Sequence, residues 1–178
     1  MTKSLASLQI TARAKGKQIM KPGIIFRGKP LVLEDGSIDS TRPANKQLAN
    51  EYDPRVTVYF QPKAWADSDV IRAWHVDFDR ATEAAANGKP RAITLDNLSS
   101  QLPKTIGQRA KRKNGTKFVY TPANCTDLCA VIDGGIGAYI KMRMAKSFLE
   151  DSESSEKRMY EWSDGKVDAK ERRVLYTK

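Results

Sequence analysis

Over most of the stretch from Ser4 to Ala14, with Leu5, Leu8, Ile10 and Ala12, apolar and polar positions alternate, and a period of two predicts a strand. Lys15–Gln18 turns the chain, and a more continuous apolar run around Ile24, Ile25 and Phe26 predicts a second strand and hence a hairpin. The residues from Glu34 to Pro54 are polar and broken by Gly, Pro and Asn, so an irregular excursion is expected there. Val56–Phe60 is a short strand. Beyond it Ile71, Trp74, His75 and Phe78 recur at i, i+3, i+4 and i+7, with Asp67 placed to cap and Gly88 and Pro90 to stop the run. That pattern is an amphipathic helix, and it makes His75 a packed core residue rather than a ligand. Trp65 and Trp74 are both expected in the core.

Arg91–Asn97 then reads as a buried strand and the segment from Ser99 to Lys113 as a basic helix opened by Ser99 or Ser100. Lys117–Pro122 reads as another strand. From Asp133 to Asp151 a long helix runs through Ile136, Tyr139, Ile140, Met144 and Phe148. Strand, helix, strand and helix in this order predict an α/β layer with parallel strands. No internal repeat or low-complexity segment interrupts it.

Charge changes the picture. The chain has 178 residues and a net charge of +10, a size that suits one domain with a real core and a balance that favours polyanionic partners. Met1 to Leu33 holds seven Lys or Arg and no acid, and Lys104 to Lys117 holds six with no acid. From Glu150 onward eight acids meet seven bases, the composition of a polar, mostly helical tail over residues 152–178. Trp162 lies in that tail. Cys125 and Cys129 occur without further cysteines, and His75 is the only histidine, so a zinc site is not expected. With no signal peptide and no apolar run of membrane-spanning length, an intracellular location is expected, with no membrane partner and no small-molecule cofactor.

Two apolar runs each deliver a carboxylate: "RAITLDN" ends at Asp96 and "CAVIDGG" at Asp133. In a parallel layer ligands gather at the carboxyl ends of strands, and two converging carboxylates suit Mg²⁺ or Mn²⁺ in phosphoryl transfer. Equally, Asp96 and Asp133 could each cap the helix that follows. Lys104, Arg109, Lys111, Arg112 and Lys113 form either a phosphate-contacting face beside Asp96, a solvated helix face, or a nuclear import signal.

The ordered blocks weigh on that choice. "AITLDNLSSQ" resembles the second acidic block of DDE superfamily endonucleases, the catalytic domains of pogo-like and Tigger-like DNA transposases. "FVYTPANCTDLCAVIDGGIGAYIKMRM" is similar to the block carrying the third acid. "PKAWADSDVIRAWHVDF" resembles the Trp-containing helix, and "LQITARAKGKQIMKPGIIFRGK" the family's second and third strands. The resemblance covers roughly Ser4 to Asp151 and implies an RNase H-like α/β fold, a mixed sheet with helices on both faces. By position it implies that Asp96 and Asp133 are catalytic, metal-holding acids for Mg²⁺ or Mn²⁺. It also implies that Lys104, Arg109, Lys111, Arg112 and Lys113 contact the DNA backbone, and that the protein acts in the nucleus.

Departures from the pattern are equally specific. The family's first acid lies on a central strand ahead of the hairpin, and here the hairpin is entered at about Ser4, so residues 1–151 read as a partial domain lacking that strand. Gln101 stands where histidine is frequent, and Ala130 and Val131 stand for the frequent Gln-Pro. The expectation is a DNA-binding, transposase-derived endonuclease domain that does not cleave in this form. Its alternatives are a domesticated DNA- or protein-binding module, or a nonfunctional mobile-element fragment. Without the central strand, the hairpin strand and the strand ending at Asp96 are expected either to expose unpaired edges or to pair directly.

Overall fold

A computed structural model describes residues 6–43, 50–96, 115–122 and 132–178. Strand β1 (Ala6–Gln9) pairs antiparallel with β2 (Gly23–Arg27), Ala6 opposite Phe26 and Gln9 opposite Gly23, which is the hairpin the alternation predicts. The polar positions of the connecting loop bring Arg13, Lys15 and Lys17 out to solvent. On its other side β2 pairs parallel with β5 (Thr57–Gln61), Ile25 opposite Tyr59. Successive residues of a strand point to opposite faces, so Ile24, Phe26, Val58 and Phe60 build one layer of core and Ile25 and Tyr59 another. Both layers are covered. This is why β2 is apolar without alternation.

The excursion expected over Glu34–Pro54 is in part ordered. Strands β3 (Pro30–Val32) and β4 (Ile38–Pro43) form an antiparallel hairpin whose far strand lies against β5 and α1. Its turn is made by Asp35, Gly36 and Ser37. Gly36 takes φ +76, a conformation glycine adopts without steric cost, and the Asp35 carboxylate accepts from the Ser37 amide at 2.8 Å. Those bonds from Ser37 hold the Asp35 carboxyl below its ordinary range.

Helix α1 (Ser68–Ala86) starts where the sequence indicates. The Asp67 carboxylate accepts from the Asp69 and Val70 amides at 3.1 and 3.0 Å, and Asn87 ends the helix in the left-handed conformation. Val70, Ile71, Trp74, His75 and Phe78 are its buried face. That face packs on Ile25 and Tyr59 and also on Ile93, which lies in β6 (Arg91–Leu95). Strand β6 pairs parallel with β7 (Thr116–Tyr120), Ile93 opposite Phe118. His75 meets Trp74 and Phe118 edge-on, with ring centroids 5.0 and 5.3 Å away. One helix thus joins two sheets that do not pair with each other. Among the described residues β1 bonds only to β2, and β6 only to β7.

The chain closes on three helices: α2 (Gly137–Ser152), α3 (Glu156–Ser163) and α4 (Ala169–Thr177). The long helix expected from Asp133 does not run unbroken. Ile132–Ile136 form a wide helical turn in which Gly135 has φ 147, outside helical space, and the regular helix begins at Gly137. Arg158 ties the three helices together, bonding Asp151 of α2 at 2.8 Å and Glu161 and Glu171 at 3.1 Å. Burial works against the Asp151 carboxylate, yet the bonds from Trp162 and Arg158 hold its pKa below the ordinary range. Trp162 also packs on Phe148, ring centroids 5.8 Å apart. Tyr176 of α4 meets Phe148 at 4.7 Å and Phe26 of β2 at 6.0 Å, covering the face of the sheet opposite α1. The architecture is mixed α/β: a mixed sheet with helices on both faces, as the RNase H-like expectation requires.

Candidate catalytic edge and nucleic-acid interface

Helix α1 follows the carboxyl end of β5 and delivers the chain to the amino end of β6. Since β2 runs parallel to β5 and β7 parallel to β6, β2 and β5 end together, and so do β6 and β7. The loops after their carboxyl ends are where an open α/β layer builds its sites.

Asp96 is the first residue beyond β6, and it is half-buried. The Thr121 amide donates to the Leu95 carbonyl at 2.9 Å, which keeps the end of β7 beside it. The backbone of Asp133 lies in the wide turn ahead of α2. Its side chain lies outside the described residues. So does the whole segment 97–114, with Lys104, Arg109, Lys111, Arg112 and Lys113 and the basic helix expected there. No group of three or more His, Cys, Asp or Glu side chains able to hold a metal ion occurs among the described residues. Those residues alone do not assemble the ligands of Mg²⁺ or Mn²⁺.

The carboxyl ends of β2 and β5 carry groups that the sequence did not mark as a site. Arg27 ends β2 opposite Gln61, the last residue of β5, and the next amide, of Gly28, donates to the Gln61 carbonyl at 3.1 Å. A side chain at position 28 would come within 2.7 Å of the Phe60 ring, so only glycine lets this loop lie so close. After β5, the Gln61 carboxamide oxygen accepts from the amides of Lys63 at 2.6 Å and Trp65 at 3.1 Å. The Gln61 carbonyl also accepts from Ala64 at 3.0 Å. Ala64 is buried, with φ 58, so the turn is pinned at its centre.

Trp65 was expected in the core and is instead 70% exposed. The reason is register. Asp67 is the N-cap, so Trp65 precedes the helix by two residues and never joins the face that begins at Val70. The acidless amino-terminal run is likewise divided by the hairpin: Arg13, Lys15, Lys17 and Lys21 lie between β1 and β2, while Arg27 and Lys29 follow β2. Only Arg27 and Lys29 reach the strand ends that carry Lys63 and Trp65. The signal was present in the sequence, since "FRGKP" and "QPKAW" both follow strands.

A carboxylate past one pair of strand ends and cations about the other suit nucleic-acid chemistry, and comparison with known proteins bears on which kind. Residues 3–167 match the family described as DDE superfamily endonuclease. The chain belongs to that family. No curated protein and no solved structure matches it. The matched residues of this DDE endonuclease domain take in both sheets and helices α1 to α3, and they include Asp96 and Asp133. The family binds DNA and works with divalent metal ions. No helix among the described residues is long and apolar enough to cross a membrane.

Proposed function

We propose that this domain is derived from a pogo-like or Tigger-like DNA transposase and binds DNA. Asp96 and Asp133 are the second and third acids of the catalytic set, and both are retained. Lys104, Arg109, Lys111, Arg112 and Lys113 hold the DNA backbone beside them, and the protein works in the nucleus. The observation that carries this reading is the position of Asp96, directly past the carboxyl end of β6 in a chain matched to the DDE family over 3–167.

Phosphate contacts carry no sequence information, so binding should be independent of sequence and weaken steeply as salt rises. An electrophoretic shift assay across a salt series tests this. Reversing Lys111, Arg112 and Lys113 to Glu should weaken binding of random-sequence duplex DNA and flatten the salt slope by about three, one for each phosphate no longer neutralised. Unchanged affinity and slope in that variant would place the footprint elsewhere.

A further inference from the structure

An indole left in solvent forgoes one of the largest burial energies available to a side chain, and it stays there only if something holds it out. Trp65 is held out. Gln61 receives four hydrogen bonds at the root of its turn, from the amides of Gly28, Lys63, Ala64 and Trp65, and buried Ala64 anchors the turn from within. The ring is therefore presented by a stiff turn, and a partner would lose little conformational freedom in docking on it.

The surroundings point to the partner. Lys63 is two residues away in the same turn. Arg27 stands opposite Gln61 in the ladder, and Lys29 lies one residue past the Gly28 bond to Gln61. All three cations are exposed, and none is in an ion pair with another described residue. The nearby acids are already engaged: Asp67 accepts the two amides it caps, and Asp69 pairs with Arg72 at 2.9 Å. A flat aromatic face among cations matches the chemistry of an unpaired base on its phosphate backbone, the base stacking and the phosphates held.

We propose that Trp65, with Arg27, Lys29 and Lys63, is a stacking platform for an unpaired base of single-stranded or frayed DNA. The platform rests on the DNA-binding reading above and adds to it: duplex DNA hides its base faces, so Trp65 distinguishes opened strands from closed ones, while the basic segment 104–113 does not.

The test uses the full chain, an oligothymidylate, and a blunt random-sequence duplex of the same length. Trp65→Ala should weaken oligothymidylate binding roughly 10-fold or more, the usual loss for one stacked base, and leave duplex affinity within about 2-fold. Trp65→Phe keeps a ring and should retain most of the affinity. Binding of oligothymidylate should quench indole emission in the parent, and Trp65→Phe should abolish the quench, because Trp74 is buried and Trp162 is packed on Phe148. Arg27→Ala and Lys63→Ala should each lower the salt slope by about one. Oligothymidylate affinity unchanged by Trp65→Ala, or a quench that survives Trp65→Phe, would overturn the platform and leave duplex binding intact. A parent chain that binds neither oligonucleotide would overturn the DNA-binding reading and the platform with it.

Discussion

His75 is 8% exposed on the inner face of α1, and that burial pushes its pKa down to about 4 from 6.5, with Asp79 opposing the shift. A depressed pKa on a base means that the unfolded chain takes up a proton before the folded one does. Stability should thus be full above pH 6.5 and fall as pH is lowered toward 4, by roughly 3 kcal/mol in all. As the only histidine, His75 has the pH 5–6.5 range largely to itself. Urea melts of the parent and of His75→Gln should differ in slope across that window, and parallel curves would contradict the assignment. Asp96 offers a second residue-scale test. If its carboxylate is a ligand, Asp96→Asn should weaken or remove Mn²⁺ binding in a calorimetric titration. Tight binding that survives the change would remove Asp96 from the metal. Residues were legible where type and register agreed, as at His75, whose place follows from the spacing of Ile71, Trp74 and Phe78. Trp65 was misjudged because its type suggests a core while its position, two residues before a cap, excludes it from the helix face.

At the scale of elements, α1 was legible to the residue because two independent signals coincide: an apolar period of 3.6 and a carboxylate in front of it. The cap has a measurable consequence. Asp67→Ala leaves the Asp69 and Val70 amides without their side-chain acceptor, and should cost about 1 kcal/mol, read as a melting temperature lower by roughly 2–4 °C. Asp67→Asn keeps an acceptor and should recover most of the loss, and equal melting of Asp67→Ala and the parent would show the cap to be idle. The β3–β4 hairpin went unseen although "EDGS" sits between Leu33 and Ile38, because the surrounding Glu, Asp, Ser and Thr mask a strand whose role is at a sheet margin. The break before α2 was also missed. Apolar spacing carries smoothly through Ile132, Ile136 and Ile140, and the pair Gly134-Gly135 was the sole sign that the backbone would leave the helix there.

For the whole molecule, the open question is chemical, and it turns on how the two sheets meet. Helix α1 holds Ile25 and Tyr59 of one and Ile93 of the other in a single core, while among the described residues β1 bonds only to β2 and β6 only to β7. Unpaired edges of this kind invite association between chains, so a polypeptide of these 178 residues should self-associate as its concentration rises. An added amino-terminal strand that pairs with both β1 and β6 should suppress that association and raise the melting temperature, since each new ladder buries edge amides and carbonyls. If that strand also carries an aspartate near the end of β6, it supplies a carboxylate beside Asp96, the ligand that two-metal clamping of a scissile phosphate needs. The decisive measurement is plasmid nicking with Mn²⁺. The 178-residue polypeptide should show none, the extended form should nick, and Asp133→Ala in the extended form should stop it. Nicking by the unextended polypeptide at the rate of the extended one, abolished in both by Asp133→Ala, would mean that the retained carboxylates suffice for cleavage, and that the domain cuts the DNA it binds.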